Sequence, residues 1–520
     1  MTARSNRPTL SRAVSAWAED RPTAIAVESA GDSVTWSELD AALTRFAGEL
    51  RSRGVGVGDR VALLGENSLE WVVAFLACER AQAVVVPMNT RLAQAQIAQQ
   101  VRVVDVALVL VDTDSDIPPL EGVACVELGA LIASVRAGGP ADAPVIDTSD
   151  LPDDPHDGVA DDAPALISFT SGTTGTPKGA TVSRSSLAAY GQGFAQYFGT
   201  RPDDSTLVIV PIFHNTGFAD QLAHMIAAGA TTRLLRRYRT DAAVAELVAR
   251  PVTFLAAVPS MLRMLMLHHD ADAVFAGVRT VMYGGSAIPE AWVREMHRRW
   301  PHVRLAHAYG LSEFTSVCTV LPSELASTAA ESAGRPLPGV RMRVVDDGRD
   351  VPPGDTGEVW VSGPTRMLGY WNQPELTAQK FAGPWLRTGD VGHIDPDGLL
   401  WLHGRVDDVI NRGGEKIMPA FVESHLAGHD GIAAACVFGY PDEILRERIA
   451  AAVELRDGVV FDADAMRSHL RQSLPDYAVP DRWIVRDTLP LNASGKVDRR
   501  TLRAELTREP TLPTSRSIRS

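Results

Sequence analysis

Short runs that are apolar at almost every position alternate with helix-patterned segments, and this rhythm restricts the fold more than any other feature of the chain. RVALLGEN reads as a strand entering a turn, SLEWVVAFLACERAQA as a helix with apolar spacing near 3.6, and AVVVPMN and VALVLVD as further buried strands. Strand, helix, strand in this order predicts an α/β domain with largely parallel sheets. Buried-strand patterns recur at ALISFTS, TLVIVPIF, TFLAAVP and TVMYGG, with helices between them, while residues 8–50 read as helical pieces around a hairpin, AIAVESAGDSVTW.

The texture changes twice. Residues 137–163 are rich in Asp, Pro and Gly and read as a surface linker. After residue 333 the chain becomes β-rich (VRMRVVDD, GEVWVSG, LLWLHGR), which predicts a small barrel or sheet. Residues 406–505 look like a separate α+β unit with strands at AACVFGYP and AAVELRDG and a helix at DADAMRSHLRQSL, and the last dozen residues read as a frayed tail. At 520 residues, two to four domains are expected from roughly 100–200 residues each.

Composition narrows the function. With 64 acidic and 50 basic residues the net charge is −14, so no basic footprint for nucleic acid dominates. No apolar run approaches the ~18 residues of a membrane span, and the N-terminus lacks the apolar core of a signal peptide. Cys78, Cys125, Cys318 and Cys436 lie far apart without metal or CxxC spacing, and read as buried free thiols of a cytoplasmic protein.

The segment with the most chemistry runs from Ser168 to Gly179: an apolar strand enters Thr170, Ser171, Gly172, Thr173, Thr174 and Gly175 and ends in Pro177-Lys178-Gly179. Glycines let backbone N–H groups turn toward an anion, hydroxyls add donors, and Lys178 brings a point charge to phosphate. It is not a P-loop, since Pro177 stands where that motif needs its second glycine. Further along lie His307-Ala308-Tyr309-Gly310-Leu311-Ser312-Glu313, Thr388-Gly389-Asp390, the run from Gly404-Arg405 through Asp407 to Gly413-Gly414, and Lys496 in a PLxxxGKV pattern. Pro211-Ile212-Phe213-His214-Asn215-Thr216-Gly217, Val258-Pro259-Ser260 and Gly284-Gly285-Ser286-Ala287 complete the set.

In this order, and over nearly the whole chain, these segments resemble the adenylate-forming superfamily: acyl-CoA synthetases, aryl-acid adenylating enzymes, peptide-synthetase adenylation domains and luciferase-like enzymes. The resemblance implies a large N-terminal domain over residues 1–405, built of two α/β subdomains and a small β-barrel. A small mobile α+β C-terminal domain would follow over 406–508 with its hinge at Asp407, and a tail over 509–520. It implies that Lys178 and the loop from Thr170 to Gly175 grip the phosphates of ATP and that Tyr309 packs on adenine beside Gly285, Ser286, Ala287, His307 and Ala308. Ser312 would touch the α-phosphate and Glu313 would bind Mg²⁺, with Thr173 a second candidate metal contact. Asp390 and Arg405 would meet the ribose, and Lys496 would bridge α-phosphate and acyl carboxylate. Gly413 and Gly414 would pass the pantetheine arm of CoA, while His214, Asn215, Gly217, Val258, Gly284 and Gly310 would line the acyl side. Ser312 replaces the family's usual threonine, which keeps the hydroxyl.

The implied reaction is ATP-dependent ligation of a small carboxylic acid to CoA through an acyl adenylate. A carrier-protein phosphopantetheine is the rival acceptor, favoured by NRGGEK and by Asn215, which aryl-acid enzymes use against an aromatic acid. A phosphotransferase using the same loop would release ADP instead, and a catalytically dead module would lack the charged residues present here. A homodimer is a candidate assembly. His214 reads as a packing or gating residue, since a carboxylate needs no general base at neutral pH. Two segments read as decoys: Gly54 to Gly58 as a turn, and Arg233–Arg239 as a solvated loop whose sharper alternative is a contact to CoA phosphate.

Overall fold

The computed structural model describes residues 9–112, 120, 122–130, 162–170, 177–285, 288–413, 415–491 and 497–508. The linker core and the C-terminal tail expected from sequence lie outside these residues. The chain divides into two compact units: one of residues 1–343, 360–388 and 394–401, the other of 344–359, 389–393 and 402–520. The short strands Arg341–Asp346, Gly357–Ser362, Trp385–Ile394 and Leu400–Arg405 supply residues to both units. Among the described residues no helix is long and apolar enough to cross a membrane.

The first unit contains β1 (Ile25–Ser29), β2 (Asp32–Thr35), β3 (Arg60–Leu64), β4 (Val84–Met88), β5 (Val106–Val111), β6 (Ala124–Glu127), β7 (Pro164–Thr170) and β8 (Lys178–Ser183). It continues with β9 (Ser205–Val208), β10 (Thr231–Leu234), β11 (Phe254–Ala257), β12 (Thr280–Gly284), β13 (Arg304–Gly310), β14 (Val317–Leu321) and β15 (Arg335–Pro336). Among the described residues these form two sheets, one ordered β15-β14-β13-β12-β11-β9-β10-β1-β2 and one running from the strand Gly369–Tyr370 through β8-β7-β4-β3-β5-β6. Each has a parallel centre with antiparallel strands added at an edge, as the apolar runs predict.

The helix Leu69–Arg80 departs from its expected amphipathic pattern, because every residue except Glu70 is buried. A helix buried all round needs partners for its polar residues. Ser68 caps it, accepting from the Trp71 N–H at 3.1 Å. Glu79 accepts the Ser11 N–H at 2.7 Å, and Arg80 pairs with Asp40 at 2.6 Å.

Asn67, just before that helix, joins the two sheets. Its Nδ2 donates to the carbonyls of Val208 (3.2 Å), Val210 (2.9 Å) and Leu235 (2.9 Å), and its Oδ1 accepts the Ile212 N–H at 2.7 Å. The residue leaves one sheet after β3 and closes backbone groups at the ends of β9 and β10 in the other. It is 2% exposed, so water cannot replace these partners.

In the second unit the strands Ile432–Asp442 and Arg446–Leu455 pair antiparallel over their length. Alternate residues feed two cores: Val437, Ile449, Ala451 and Val453 pack with Val422, Leu426, Met466 and Leu470. Cys436, Phe438, Ala450 and Ala452 pack with Leu489, Leu502 and Leu506. A period of two with both faces covered explains why AACVFGYP and AAVELRDG read as continuous apolar runs.

Replacing Asn67 with alanine strips four hydrogen bonds at once, three of them buried. We expect Asn67→Ala to cost more than about 3 kcal/mol of stability, measured by chemical denaturation. A loss below about 1 kcal/mol would show that the bridge contributes little.

Candidate active site

Thr170 ends β7 and Lys178 begins β8, and the two are cross-strand neighbours in an antiparallel pair. The segment therefore runs strand–loop–strand. A P-loop runs strand–loop–helix, so this architecture separates the chain from P-loop enzymes on topology as well as on sequence. Ser171, Gly172, Thr173, Thr174 and Gly175 lie outside the described residues.

Gly284, at the end of β12, faces Ala308 on β13 in parallel register, and Tyr283 faces His307. The Tyr283 and His307 rings stack at 5.0 Å with only 5° between planes. His307 Nδ1 sits 2.8 Å from the Ser332 carbonyl, which can only accept, so the proton lies on Nδ1. Burial lowers the pKa of this ring and keeps it neutral. Gly310 has no room for a side chain: a Cβ there would lie 1.9 Å from the Ser316 carbonyl oxygen. Gly285 follows with φ +88°, while Ser286 and Ala287 lie outside the described residues.

Ser312–Phe314 forms a single 3₁₀ turn after β13, preceded by Leu311, so Ser312 is its first residue rather than a cap. Glu313 in this turn accepts a hydrogen bond from the Tyr370 hydroxyl at 2.6 Å. Its backbone carbonyl accepts from the Met367 N–H at 2.9 Å. The same segment is stitched to β8 through Leu368 N–H to Thr181 O and Trp371 N–H to Gly179 O. The strand that begins with Lys178 and the turn that carries Glu313 are thus held to one another by residues 367–371. Sequence reading missed Tyr370; a tyrosine in GYWN gives no sign of a carboxylate partner.

On the acyl-side motif, His214 precedes a short helical turn, Asn215–Gly217. The His214 ring is open to solvent yet set among protein atoms, and that desolvation, with the charge of Arg91, lowers its pKa. Gly217 packs with no space for a Cβ, which would meet Ile212 Cα at 2.5 Å. Val258 sits half-buried before the helix Pro259–Leu267.

Directly after Gly217 the chain makes a π-helical turn, Phe218–Ala223, whose wider winding places several polar groups in the core. Asp220 accepts the Tyr190 hydroxyl at 2.5 Å. Gln221 accepts the Thr206 hydroxyl at 2.9 Å. His224 accepts from Thr200 and donates to the Asp220 carbonyl at 3.2 Å. None of these was read from the sequence, where this stretch falls among the helices expected between the buried strands.

In the second unit, Asp390 lies inside the strand Trp385–Ile394, after Gly389 at φ +78°. A turn follows that strand at Asp395 to Gly398. Arg405 Nη1 lies 3.2 Å from Asp390 Oδ1, so the two residues expected at the ribose are partners in the structure. Asp407 is exposed in the 3₁₀ turn Val406–Asp408. Gly413 takes φ +63° in the bend between Ile410–Arg412 and Glu415–Ile417, donating to the Leu445 carbonyl at 2.7 Å. Gly414 and Lys496 lie outside the described residues.

Two expectations are corrected. Arg233 is not solvated: it is 4% exposed on β10, paired with Glu28 at 3.4 Å and Glu246 at 3.1 Å. Arg236 pairs with Asp112 at 2.8 Å. Charge at a strand position was mistaken for a loop because the paired glutamates lie far away in sequence. Cys125 is exposed, whereas Cys78, Cys318 and Cys436 are buried as expected.

Parallel sheets whose strands end in Thr170 and Gly284, with Ser312 just beyond β13, followed by a small α+β unit, define an α/β fold of the kind that places ligand sites at strand ends. The chain belongs to the AMP-binding enzyme family, which it matches over residues 14–371, with the family's C-terminal domain matched over 422–496. It is 33% identical to a fatty acid–[acyl-carrier-protein] ligase of Streptomyces coeruleorubidus over 95% of this chain and 96% of that one. It is also 33% identical to an indoleacetate–CoA ligase of Aromatoleum aromaticum, covering 92% and 94% of the two chains. The fold matches the solved O-succinylbenzoate coenzyme A synthetase of Bacillus subtilis in complex with ATP and magnesium ion, with TM-score 0.82, 28% identity and coverage of 95% and 99%.

Two buried groups, Asp220 in the π-helical turn and His224 just after it, set a pH dependence of stability. Burial lowers His224 to about 4 from 6.5, so between those values the unfolded chain binds a proton that the folded chain refuses, and acidification destabilises. Burial raises Asp220 from 3.8 to about 6, which acts with the opposite sign over that window. Relative to the parent, His224→Gln should therefore gain roughly 1–2 kcal/mol between pH 7 and pH 5, and Asp220→Asn should lose ground over the same interval. Denaturant titrations at the two pH values measure both gaps, and gaps that do not move would refute the assignment.

Proposed function

We propose that the chain is an ATP-dependent acid–CoA ligase of the AMP-forming kind. It activates a carboxylic acid as acyl adenylate with release of pyrophosphate, then passes the acyl group to the thiol of CoA. The observation that carries this reading is the strand–loop–strand from Pro164 to Ser183 tied through residues 367–371 to the turn bearing Glu313, in a chain of the AMP-binding family. The indoleacetate–CoA ligase and the ATP- and magnesium-bound synthetase support CoA, ATP and Mg²⁺ as its reactants and metal.

Most of the catalysis here is positioning and charge stabilisation, because a carboxylate is already a nucleophile at neutral pH. Lys178 and the loop from Thr170 to Gly175 hold the β- and γ-phosphates. Tyr309 packs on adenine, Ser312 donates to the α-phosphate, and Asp390 with Arg405 receives the ribose. Glu313 fits a hard cation: its carboxylate is oriented through Oε1 by Tyr370, and carboxylate oxygen is the ligand type Mg²⁺ takes. When bound, Mg²⁺ neutralises charge on the phosphate oxygens. Lys496 bridges the α-phosphate and the acyl carboxylate in the first step. Asp407 is the hinge about which the C-terminal residues turn before the thiol step, when Gly413 and Gly414 leave room for the pantetheine arm. The free cysteines agree with a reducing, cytoplasmic setting.

The likeness to a fatty acid–[acyl-carrier-protein] ligase supports a second acceptor, a carrier protein's phosphopantetheine. A pyrophosphate-release screen over acetate, long-chain, aryl and polycyclic acids identifies the acid. Repeating it with free CoA or a loaded carrier protein decides the acceptor. AMP and pyrophosphate are the expected products, and ADP would overturn the reading.

Lys496→Ala should cut adenylation by roughly 100-fold or more while leaving thioester formation from supplied acyl adenylate largely intact. Asp407→Pro should do the reverse, since proline fixes φ in the hinge. Equal loss of both half-reactions in Lys496→Ala, or normal thioester formation in Asp407→Pro, would refute these roles.

A further inference from the structure

Asn215 stands in the acyl-side motif, yet both ends of its side-chain amide are engaged elsewhere. Its Oδ1 accepts the Ser168 hydroxyl at 2.9 Å, two residues before Thr170 ends β7. Its Nδ2 donates to the Thr315 carbonyl at 2.5 Å and to Ser312 Oγ at 3.3 Å. A backbone carbonyl can only accept, so the Thr315 contact fixes which end of the amide carries the hydrogens.

The group held by Nδ2 is strained. Thr315 has φ +67° and ψ −56°, and the Ser316 N–H bonds back to the Phe314 carbonyl at 2.8 Å. This is the φ-positive γ-turn, a rare conformation, here centred on a β-branched residue. Such a turn persists only where its surroundings over-determine it. Two bonds do so: Asn215 holds the Thr315 carbonyl, and the Thr315 hydroxyl donates to the Thr365 carbonyl at 2.8 Å. Glu313 lies two residues before Thr315, and Ser312 three. With an Asn215 hydrogen directed at Ser312 Oγ, the Ser312 hydroxyl proton is left to point at another acceptor.

We infer that Asn215 is a positioning residue of the nucleotide site rather than a selector of the acid: it braces the strand entering the phosphate loop against the strained turn that carries Ser312 and Glu313. This rests on the activity proposed above. An amide N–H that turned to a substituent on the acid would have to release Ser312 or Thr315, and releasing Thr315 would free the γ-turn.

The test compares Asn215→Asp, which keeps shape but sets a carboxylate oxygen against the Thr315 carbonyl, with Ser168→Ala, which removes only the outer arm of the brace. For each folded variant three quantities are measured: KM for MgATP in acid-dependent pyrophosphate exchange, the rise in thermal midpoint on adding MgATP without acid, and the rank order of acids accepted. We expect kcat/KM for MgATP to fall roughly tenfold or more in Asn215→Asp and less in Ser168→Ala. The MgATP-induced thermal shift should shrink in the same order, with the ranking of acids unchanged. A changed acid ranking with MgATP parameters intact would overturn the inference, and so would no change in either. If the parent chain itself gives no exchange with any acid, the activity fails instead, and the thermal shift with MgATP still tests the brace.

Discussion

The first unit depends on one buried amide. From the end of β3 in one sheet, Asn67 bonds three carbonyls and one N–H at and beyond the ends of β9 and β10 in the other. A parallel strand end must find partners outside its own ladder, and an asparagine side chain has the right count of donors and acceptors to supply several at once. Because the closure is buried, the ends of β3, β9 and β10 cannot shift relative to one another without leaving polar groups without water or partner. The helix Leu69–Arg80, buried at every residue except Glu70, starts from the same point, so the packing between the sheets begins where that hydrogen-bond demand is met.

With the strand ends fixed, the candidate site follows as loops on a rigid frame. Thr170, Gly284, Tyr309 and Ser312 all lie at or just beyond the carboxyl ends of β7, β12 and β13. The chain between them is constrained by close approach: Gly310 against the Ser316 carbonyl, Gly217 against Ile212. These glycines are required by backbone proximity, not by flexibility, and their neighbours inherit a defined geometry. A site whose work is to orient phosphates and a cation gains from that rigidity, since misplacement of charges by an ångström lowers transition-state stabilisation steeply.

The strands, the two-part organisation and the order of the motifs could be read from sequence because each is local. A run of apolar residues states its own burial, and a change from such runs to β-rich alternation marks a change of unit. What escaped the reading is non-local in every case. Arg233 looks solvated until Glu28 and Glu246 arrive from other parts of the chain. Tyr370 is an aromatic in a turn until the fold lays it against Glu313. The π-helical turn at Phe218 hides behind a pattern that suits an α-helix as well, and one extra residue of winding is what brings Asp220 against Tyr190.

The strained turn at Thr315 shows how the two kinds of information meet. Nothing in Ser-Glu-Phe-Thr-Ser announces a γ-turn, and a threonine is among the residues least suited to one. Its cost is borne by bonds from Asn215 and Thr315 itself to distant carbonyls, which the frame of parallel strands has already placed. The turn in its place shortens the path from β13 to β14, so that Ser312 and Glu313 stand on a tight connection rather than a loose one. The carboxylate expected to meet a cation is thus anchored three ways: through its own backbone to Met367, through Oε1 to Tyr370, and through the neighbouring turn to Asn215. Preorganisation of this kind places the energetic cost in folding, where the core can bear it, and leaves less to be spent when the reactants bind.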